Sequence, residues 1–201
     1  MIQTDYKYRF LARIVIEASS PLKIGSGDKN IKTDSAVLRD ANGLPFIPGT
    51  TLAGLIRESI ITLAEKDLLM GSKKEGSQVI LTEAKMLDAQ GNVLDGIVDK
   101  ETLSKGFLPL YKDLPIRQHV KIGHKGTAVK HNKYDEEIVF KGTRFCFEME
   151  MISKTDDEKP FKRLLGSISS ETFRIGSGSR SGFGAISVKP ELCKCSTRNE
   201  W

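Results

Sequence analysis

Asp34 is the residue whose type and setting most directly suggest catalysis. It lies between a glycine-containing loop at 23–29 and a predicted hairpin at 35–47. A single carboxylate can hold a hydrated Mg²⁺ ion against a phosphodiester, or steer an attacking hydroxyl, because the phosphate oxygens of the substrate supply further metal ligands. An aspartate beside Thr33 and Ser35 is also a common turn-former, so the residues alone leave a catalytic and a structural role open.

A basic segment, 116–134, has the chemistry of a phosphate-binding surface. Its cations are Arg117, Lys121, Lys125, Lys130 and Lys133, and it contains no acidic residue. The charge of this segment, +5, equals the formal net charge of the whole chain. Clustered cations bind a phosphate backbone because they displace its counterions. A solvated loop explains the same pattern, and charge alone does not separate the two interpretations.

The same segment holds all three histidines of the chain, His119, His124 and His131. Two imidazoles beside one phosphodiester can act as general base and general acid when the 2′-hydroxyl cleaves RNA. Their spacing matches no standard metal-binding motif. Surface histidines in a basic loop are the plainer interpretation.

A second candidate site is the stretch 174–184, RIGSGSRSGFG, in which glycines alternate with serines and Arg180. Glycines let the backbone approach a ligand closely, and amides together with serine hydroxyls can surround phosphate oxygens. The spacing G-x-G-x-x-x-G, followed by a strand-like segment at 185–188, differs from the G-x-G-x-x-G that opens a helix in dinucleotide-binding proteins. The stretch therefore predicts phosphate contacts without a nucleotide cofactor, although a Gly-Ser turn between strands has the same composition.

Composition restricts the class of protein. The chain has 201 residues, of which 39% are hydrophobic and 28% are charged, so it is neither disordered nor collagen-like and can bury a sizeable core. The first ten residues carry charges, and no stretch approaches the ~18 apolar residues of a membrane span, so we expect a cytoplasmic protein without membrane contact. Cys146, Cys193 and Cys195 are expected to be reduced thiols.

Hydrophobic periodicity predicts the elements that carry these candidates. Strict alternation predicts a long strand from Tyr8 to Ala18 and a second strand over 144–151. Helical spacing predicts one helix over about 51–66 and another around 161–168. The remaining predictions are a hairpin of 35–40 and 44–47 around Asn42-Gly43, a strand over 78–88, and short strands over 172–175 and 185–188.

The order of these elements fits an α+β protein with a ferredoxin-like (RRM-like) split βαβ core, the topology of many RNA-recognition modules. We expect a single domain over 1–201, with insertions at about 19–47 and 89–142. One weak internal repeat is present, because KIGSG at 23–27 recurs as RIGSG at 174–178.

Several stretches, in order along nearly the whole chain, match the motifs of one known family. They are 22–27 with Asp34-Ser35, 42–57 (NGLPFIPGTTLAGLIR), 117–122 (RQHVKI), 126–128, 134–137 (YDEE), 141–145 (KGTRF) and 174–184. The chain thereby resembles the RAMP superfamily, and most closely its guide-RNA-binding backbone subunits of type III CRISPR effector complexes. Ala53 departs from the family pattern, in which a basic residue often stands at this position.

The resemblance implies a ferredoxin-like core with a thumb hairpin, and several copies of the chain stacked along one guide RNA together with other effector subunits. It implies that Asp34 acts with Mg²⁺, or another divalent cation, to cleave the target RNA that pairs with the guide. The RNA contacts expected from the charge pattern and the resemblance are Lys23, Lys32, Thr50, Thr51, Arg57, Arg117, His119, Lys121, Lys125, Lys130, Lys133, Gly176, Ser177, Gly178, Ser179, Arg180 and Ser181.

Two alternatives stay open. In the first, the chain is a non-cleaving RNA-binding scaffold in which Asp34 is structural. In the second, it is a metal-independent endoribonuclease of the same superfamily that processes guide RNA with His119, His124 or His131. Sensitivity of cleavage to EDTA separates the metal-dependent enzyme from the second alternative.

Overall fold

The computed structural model of the protein describes residues 6–25, 35–122 and 128–199. Its elements are, in chain order, strand β1 (Tyr8–Ala18), helices α1 (Gly49–Ser59) and α2 (Leu63–Met70), strands β2 (Val79–Leu81) and β3 (Lys85–Met86), helix α3 (Lys100–Leu103), strands β4 (Ile116–Ile122), β5 (Ala128–Glu137) and β6 (Arg144–Ser153), helix α4 (Lys159–Ile168), and strands β7 (Ile186–Val188) and β8 (Lys194–Asn199).

The central pair of strands, β1 and β6, is antiparallel, and both strands lie where their alternating patterns predicted them. The register runs from Tyr8 opposite Ser153 to Glu17 opposite Arg144. The buried residues that face each other in this register are Phe10 and Met151, Ala12 and Met149, Ile14 and Phe147, and Ile16 and Phe145. Because the two alternating patterns are in phase, the pair presents one continuous apolar face.

The complete sheet has the strand order β2, β6, β1, β7, with β3 also paired to β6 and β8 also paired to β1. All of these pairings are antiparallel. The protein is therefore a mixed α and β structure with antiparallel sheets, as its sequence predicted. The sequence did not reveal β8, because KCSTRN lacks an apolar alternation and becomes a strand only through backbone pairing with residues 8–13 of β1.

Helices α1 and α4 cover the apolar face of the sheet. Their buried residues are Leu52 and Ile56 on α1 and Phe161, Leu164 and Ile168 on α4. The rings of Phe10 and Phe161 lie 5.8 Å apart between the sheet and α4. Burying a side chain of this kind contributes about 1.5–3 kcal/mol, so these few contacts hold both helices to the sheet.

The prediction of a single helix over about 51–66 is wrong in one respect, because the chain forms two helices there. Ile60 is extended, with φ −81° and ψ 128°, and ends α1. Thr62 then begins α2 by accepting a hydrogen bond of 3.4 Å from the Glu65 N–H. Three consecutive β-branched residues at 60–62 have low helix propensity, and this weakens the helix at the point where it breaks.

Two expected strands are shorter than predicted. The strand over 78–88 is split into β2 and β3, because Ala84 between them exchanges backbone hydrogen bonds of 2.8 and 3.0 Å with Ile47 instead of with β6. The short strand over 172–175 is reduced to one isolated bridge to Ala185. Ile47, the backbone partner of Ala84, lies far away in the sequence, so local patterning could not predict the split between β2 and β3.

The hairpin expected around Asn42-Gly43 is present only as a turn. The Asp40 carboxylate accepts hydrogen bonds of 2.9 Å from the N–H groups of Asn42 and Leu44. The flanking segments contain isolated bridges, one of them between Arg39 and Pro45. Proline has no N–H with which to extend a ladder, so the turn does not continue into paired strands.

Strands β4 and β5 form a separate two-stranded antiparallel sheet within the connection between β3 and β6. We name the end at Ile116 and Glu137 the hairpin base; the register continues from there to Ile122 opposite Ala128. Most of the basic segment identified in the sequence therefore lies in paired strands rather than in an irregular loop.

Tyr111 connects the segment before β4 to the start of β6 through side-chain contacts. Its side chain is 4% exposed, and its hydroxyl lies 2.6 Å from the Thr143 hydroxyl. Its ring meets Phe140 edge to face, with centroids 5.4 Å apart. Burial raises the pKa of Tyr111 because it disfavours the phenolate, so this hydroxyl remains a neutral hydrogen-bonding group.

All three cysteines are unpaired, as expected. Cys146 is buried, and the guanidinium of Arg13 donates a hydrogen bond of 3.3 Å to its sulfur. Within the described ranges, no helix combines the length and the apolar character needed to cross a membrane.

Candidate nucleic-acid interface

The glycine loop, 174–184, packs directly against the segment 21–25. The Ser177 N–H donates to the Lys23 carbonyl at 3.0 Å, and the Gly184 N–H donates to the Pro21 carbonyl at 3.0 Å. A Cβ atom on Gly176 would lie only 2.2 Å from the Lys23 carbonyl oxygen, and its φ of +86° is strained for any other residue. Glycine at 176 is therefore needed for this close approach. Residues 23–25, the described part of the first copy of the weak sequence repeat, therefore lie beside the second copy.

The tip of the glycine loop is exposed. Gly178 and Gly182 adopt φ values of +77° and +86° on either side of a short 3₁₀ turn, Ser179–Ser181. The exposed side chains of the loop are Ser177, Ser179, Arg180 and Ser181. These hydroxyls and the guanidinium are donors that suit phosphate oxygens.

Phe183 of the loop and three side chains beside it form a stacking cluster, whose other members are Arg117, His119 and Tyr134. The guanidinium of Arg117 lies over the Phe183 ring, 5.3 Å from its centroid. The His119 and Tyr134 rings are stacked, with centroids 5.2 Å apart and an interplanar angle of 12°. His119 also lies 6.3 Å from Phe183. Since Tyr134 is 42% exposed, the cluster presents an aromatic surface to solvent next to the glycine loop.

A buried carboxylate joins the hairpin base to the segment that supports the glycine loop. Glu136 is 7% exposed, and its Oε1 forms an ion pair with the ammonium of Lys23. Its Oε2 lies 3.3 Å from His119 Nε2, although the imidazole is not aligned for a hydrogen bond. The Lys23 charge is therefore neutralised within the protein, and this cation orients the hairpin relative to the loop.

The carboxylates that follow the basic segment all lie at the hairpin base. Glu137 pairs with Arg39 at 2.7 Å and accepts a hydrogen bond of 2.8 Å from the Val37 N–H. Glu136 and Glu137 form ion pairs inside the protein. They therefore do not offset the positive charge of the cations farther along β4 and β5. Lys133 is one of these cations, and its side chain is exposed opposite Val120.

Three of the predicted RNA contacts lie on helix α1. Thr50 and Thr51 occupy the first turn of α1, where no side chain caps the helix. Arg57 donates hydrogen bonds to the Lys66 and Gly71 carbonyls at 3.2 and 2.8 Å, and it pairs with the Asp67 carboxylate at 2.8 Å. Arg57 thus holds α2 against α1, and its contact with RNA stays a prediction.

Several predicted site residues cannot be compared with the fold. Asp34, Lys32, Lys125 and His124 lie outside the described residues. The positions of Lys121, Lys130 and His131 are known only as strand positions in β4 and β5. Ser35, which follows Asp34 in the sequence, forms a bridge with Glu136, and the Glu137 N–H donates to its carbonyl at 3.0 Å. The described chain therefore resumes, directly after Asp34, beside the hairpin base.

Within 6–25, 35–122 and 128–199, no group of three His, Cys, Asp or Glu side chains could hold a metal ion. A divalent cation that binds a single carboxylate completes its coordination with other oxygen donors, such as water and the phosphate oxygens of a nucleic acid.

Sequence reasoning did not select Phe183, Glu136 or Tyr134 as members of a site. The available signal for Phe183 was an aromatic residue between two glycines of the loop, in the motif GFG. Tyr134 was visible as an aromatic residue at the end of a basic run. No local signal pointed to Glu136, because its partners Lys23 and His119 are brought to it only by folding.

The sequence model of the RAMP superfamily matches residues 15–187, and the chain belongs to this superfamily. Among curated proteins, the chain is similar to the CRISPR system Cms endoribonuclease Csm3 of Methanocaldococcus jannaschii, with 26% identity over 196 residues that cover 87% of this chain and 76% of the relative.

Two solved structures share the fold. One is a chain of the type III-B Cmr-beta complex bound to cognate target RNA, with a TM-score of 0.64 and 17% identity over 96% of this chain. The present chain covers 61% of the length of that chain. The other is a chain of Cmr-beta in the apo state, with a TM-score of 0.66 and 13% identity; the match covers 90% of this chain and 96% of the other.

Proposed function

We propose that this chain is an RNA-binding backbone subunit of a type III CRISPR effector complex. One observation carries the proposal: the glycine loop, with its exposed hydroxyls and Arg180, lies beside the stacking cluster on one surface. Its membership of the RAMP superfamily supports it, as does its similarity to Csm3, which is described as a CRISPR endoribonuclease. A structural relative is described as bound to target RNA.

This surface suits RNA that is held without regard to its sequence. Hydroxyls and cations of the loop would bind phosphates, which are the same in every nucleotide. The rings of His119 and Tyr134 would stack on unpaired bases, and stacking tolerates any base because every base has a π face. Selection of the target would then come from base pairing with the guide.

Substituting Arg180 by alanine should weaken binding of unrelated RNAs of equal length by similar factors. Removing one phosphate contact should also lower the magnitude of the log–log salt slope by ~0.7 for single-stranded RNA. Equilibrium binding at several salt concentrations measures both quantities. Arg163→Ala is the matched control, since Arg163 is an exposed arginine that pairs with Glu65 on the helical surface. Strong discrimination among unrelated RNAs by the wild-type protein would contradict the proposal.

We also propose that copies of the chain assemble along one guide, beside other effector subunits. Head-to-tail contacts do not close into a ring, so they generate open helical assemblies whose length follows the RNA. Light scattering of the protein with RNAs of increasing length should show molecular mass rising in steps. A ratio of one protein per RNA at every length would refute the assembly.

Within this function, we infer that the sheet with α1 and α4 is a ferredoxin-like core and that β4 and β5 are the thumb. The strand order β2, β6, β1, β7, with α1 before β2 and α4 before β7, supports the first inference. The separate pairing of β4 with β5 supports the second.

For the chemistry, we propose that Asp34 binds Mg²⁺ and that the chain cleaves the target RNA paired with the guide. The metal would polarise the scissile phosphate and stabilise its developing charge. The described residues would position the RNA and the segment that carries Asp34. The glycine loop would hold backbone phosphates, and the Lys23–Glu136 pair would fix the hairpin base, to which Ser35 is bridged.

A second candidate function, metal-independent RNA cleavage, is favoured by one observation. His119 Nε2 lies 3.3 Å from the Glu136 carboxylate, which also binds the Lys23 ammonium. A carboxylate that accepts a hydrogen bond from an imidazole can orient it as a general base, and here the His119 ring would first have to rotate into line with Glu136. Cleavage that persists in EDTA and is lost in His119→Ala would select this function over the first.

A further inference from the structure

We propose that a cleft beside the glycine loop holds the ribose of an RNA nucleotide and recognises its 2′-hydroxyl. This inference rests on the proposed RNA binding and adds to it a site and a basis for selecting RNA over DNA. The cleft lies between the end of α1, the end of α4 and the glycine loop. Its volume is about 530 Å³, within the ~300–1,000 Å³ of pockets that hold small organic ligands.

The helical wall of the cleft offers hydrogen-bond acceptors. Glu58 is 80% exposed at the rim, 3.8 Å from the Lys66 ammonium, and a carboxylate only accepts. The Ser59 hydroxyl donates to the Ile56 carbonyl at 2.7 Å. Ser167 makes the same contact, also at 2.7 Å, to the carbonyl three residues before it on α4. A hydroxyl whose hydrogen is committed in this way presents only lone pairs to a ligand.

The opposite wall offers donors and continues into the glycine loop. Arg174 lines the cleft, and one of its five N–H groups donates to the Phe183 carbonyl at 3.3 Å. Gly176 and Ser179 line the cleft and also belong to the loop proposed to bind phosphates. A nucleotide whose phosphate is held by the loop would therefore place its sugar in the cleft.

The floor between these walls is apolar. It is formed by Leu55 and by Phe173, which is 6% exposed. A ligand that matches the whole cleft has hydroxyl donors at one end, an anion at the other and a C–H face between them. The sugar phosphate of RNA has this arrangement, and its 2′-hydroxyl is the donor that DNA lacks. Inorganic phosphate alone would leave the acceptor wall unpaired.

The test compares the affinity of the full-length protein for three single strands of one sequence: RNA, 2′-deoxy DNA and 2′-fluoro RNA. The fluoro form keeps the ribose-like shape but cannot donate a hydrogen bond from the 2′ position. We expect the wild-type protein to bind RNA more tightly than either of the other strands. In Glu58→Gln this preference should fall roughly three- to tenfold, because the 2′-hydroxyl loses its charged acceptor.

Glu191→Gln is the matched control, since it removes the same charge from an exposed 3₁₀ turn outside the cleft. It should keep the wild-type preference, and thermal melting should show that both variants are folded. An unchanged RNA preference in folded Glu58→Gln, or equal changes for all three strands, would overturn the ribose site while leaving RNA binding intact. Failure of the wild-type protein to bind any of the strands would instead contradict the proposed function itself.

Discussion

Asp34→Ala is expected to abolish cleavage of target RNA while leaving guide and target binding nearly unchanged. A carboxylate that acts through a metal stabilises the developing charge of the reaction, so its loss should lower the rate by at least ~100-fold without removing the contacts that hold RNA. The measurement is cleavage of a labelled complementary RNA by the reconstituted complex, with Mg²⁺ or with EDTA. EDTA should reproduce the effect of the substitution.

The controls for this experiment distinguish metal-dependent cleavage at Asp34 from cleavage by the histidines and from a scaffold without cleavage. Asp156→Ala removes an exposed carboxylate from the segment before α4 and should cleave at the wild-type rate. Replacing His119, His124 and His131 together should leave residual, metal-dependent cleavage, since this proposal gives the histidines only RNA contacts. If Asp34→Ala cleaves normally, or if the histidine variant is inactive while EDTA has no effect, the metal-dependent assignment is wrong. A wild-type complex that binds target without cleaving it would identify the chain as a scaffold.

Gly176→Ala is expected to have the second largest effect, on both stability and RNA binding. The added Cβ would lie 2.2 Å from the Lys23 carbonyl oxygen, and alanine is unfavourable at a φ of +86°. The strain and the overpacking together should cost about 2–4 kcal/mol, which for a chain of this length lowers the melting temperature by roughly 5–15 °C. Relief of the clash requires the loop to move from segment 21–25, so RNA affinity at a temperature where the variant is folded should also fall.

Gly166→Ala is the matched control for this substitution. Gly166 lies in α4, has no atom within 4 Å of its added Cβ, and does not have a positive φ. Alanine should therefore stabilise the helix by about 0.5–1 kcal/mol and leave RNA binding as it is in the wild type. Equal melting temperatures and equal RNA affinities for the two variants would show that the close approach at Gly176 does not matter.

Sequence patterning was most reliable where an element packs on one face over its whole length. β1, β6 and α4 each bury one side along ten or eleven residues. Their apolar residues therefore recur in the sequence with the period of the element, which is two residues for a strand and 3.6 for a helix. The break between α1 and α2 and the split between β2 and β3 were not predictable in this way. They depend on the extended conformation of Ile60 and on the pairing of Ala84 with Ile47, and neither changes the hydrophobic pattern.

For the candidate site, the sequence by itself determined which chemical groups are available: a glycine- and serine-rich loop, a run of cations and a lone aspartate before Ser35. Only the tertiary structure decided which of them act together. It brings the loop against Lys23, engages Lys23 with Glu136, and stacks His119 on Tyr134 near Phe183. The physical reason is that residue type and spacing report local conformation, whereas these contacts depend on tertiary pairing. The Lys23–Glu136 ion pair joins residues more than a hundred positions apart in the chain, and the stacking of His119 on Tyr134 requires the pairing of β4 with β5.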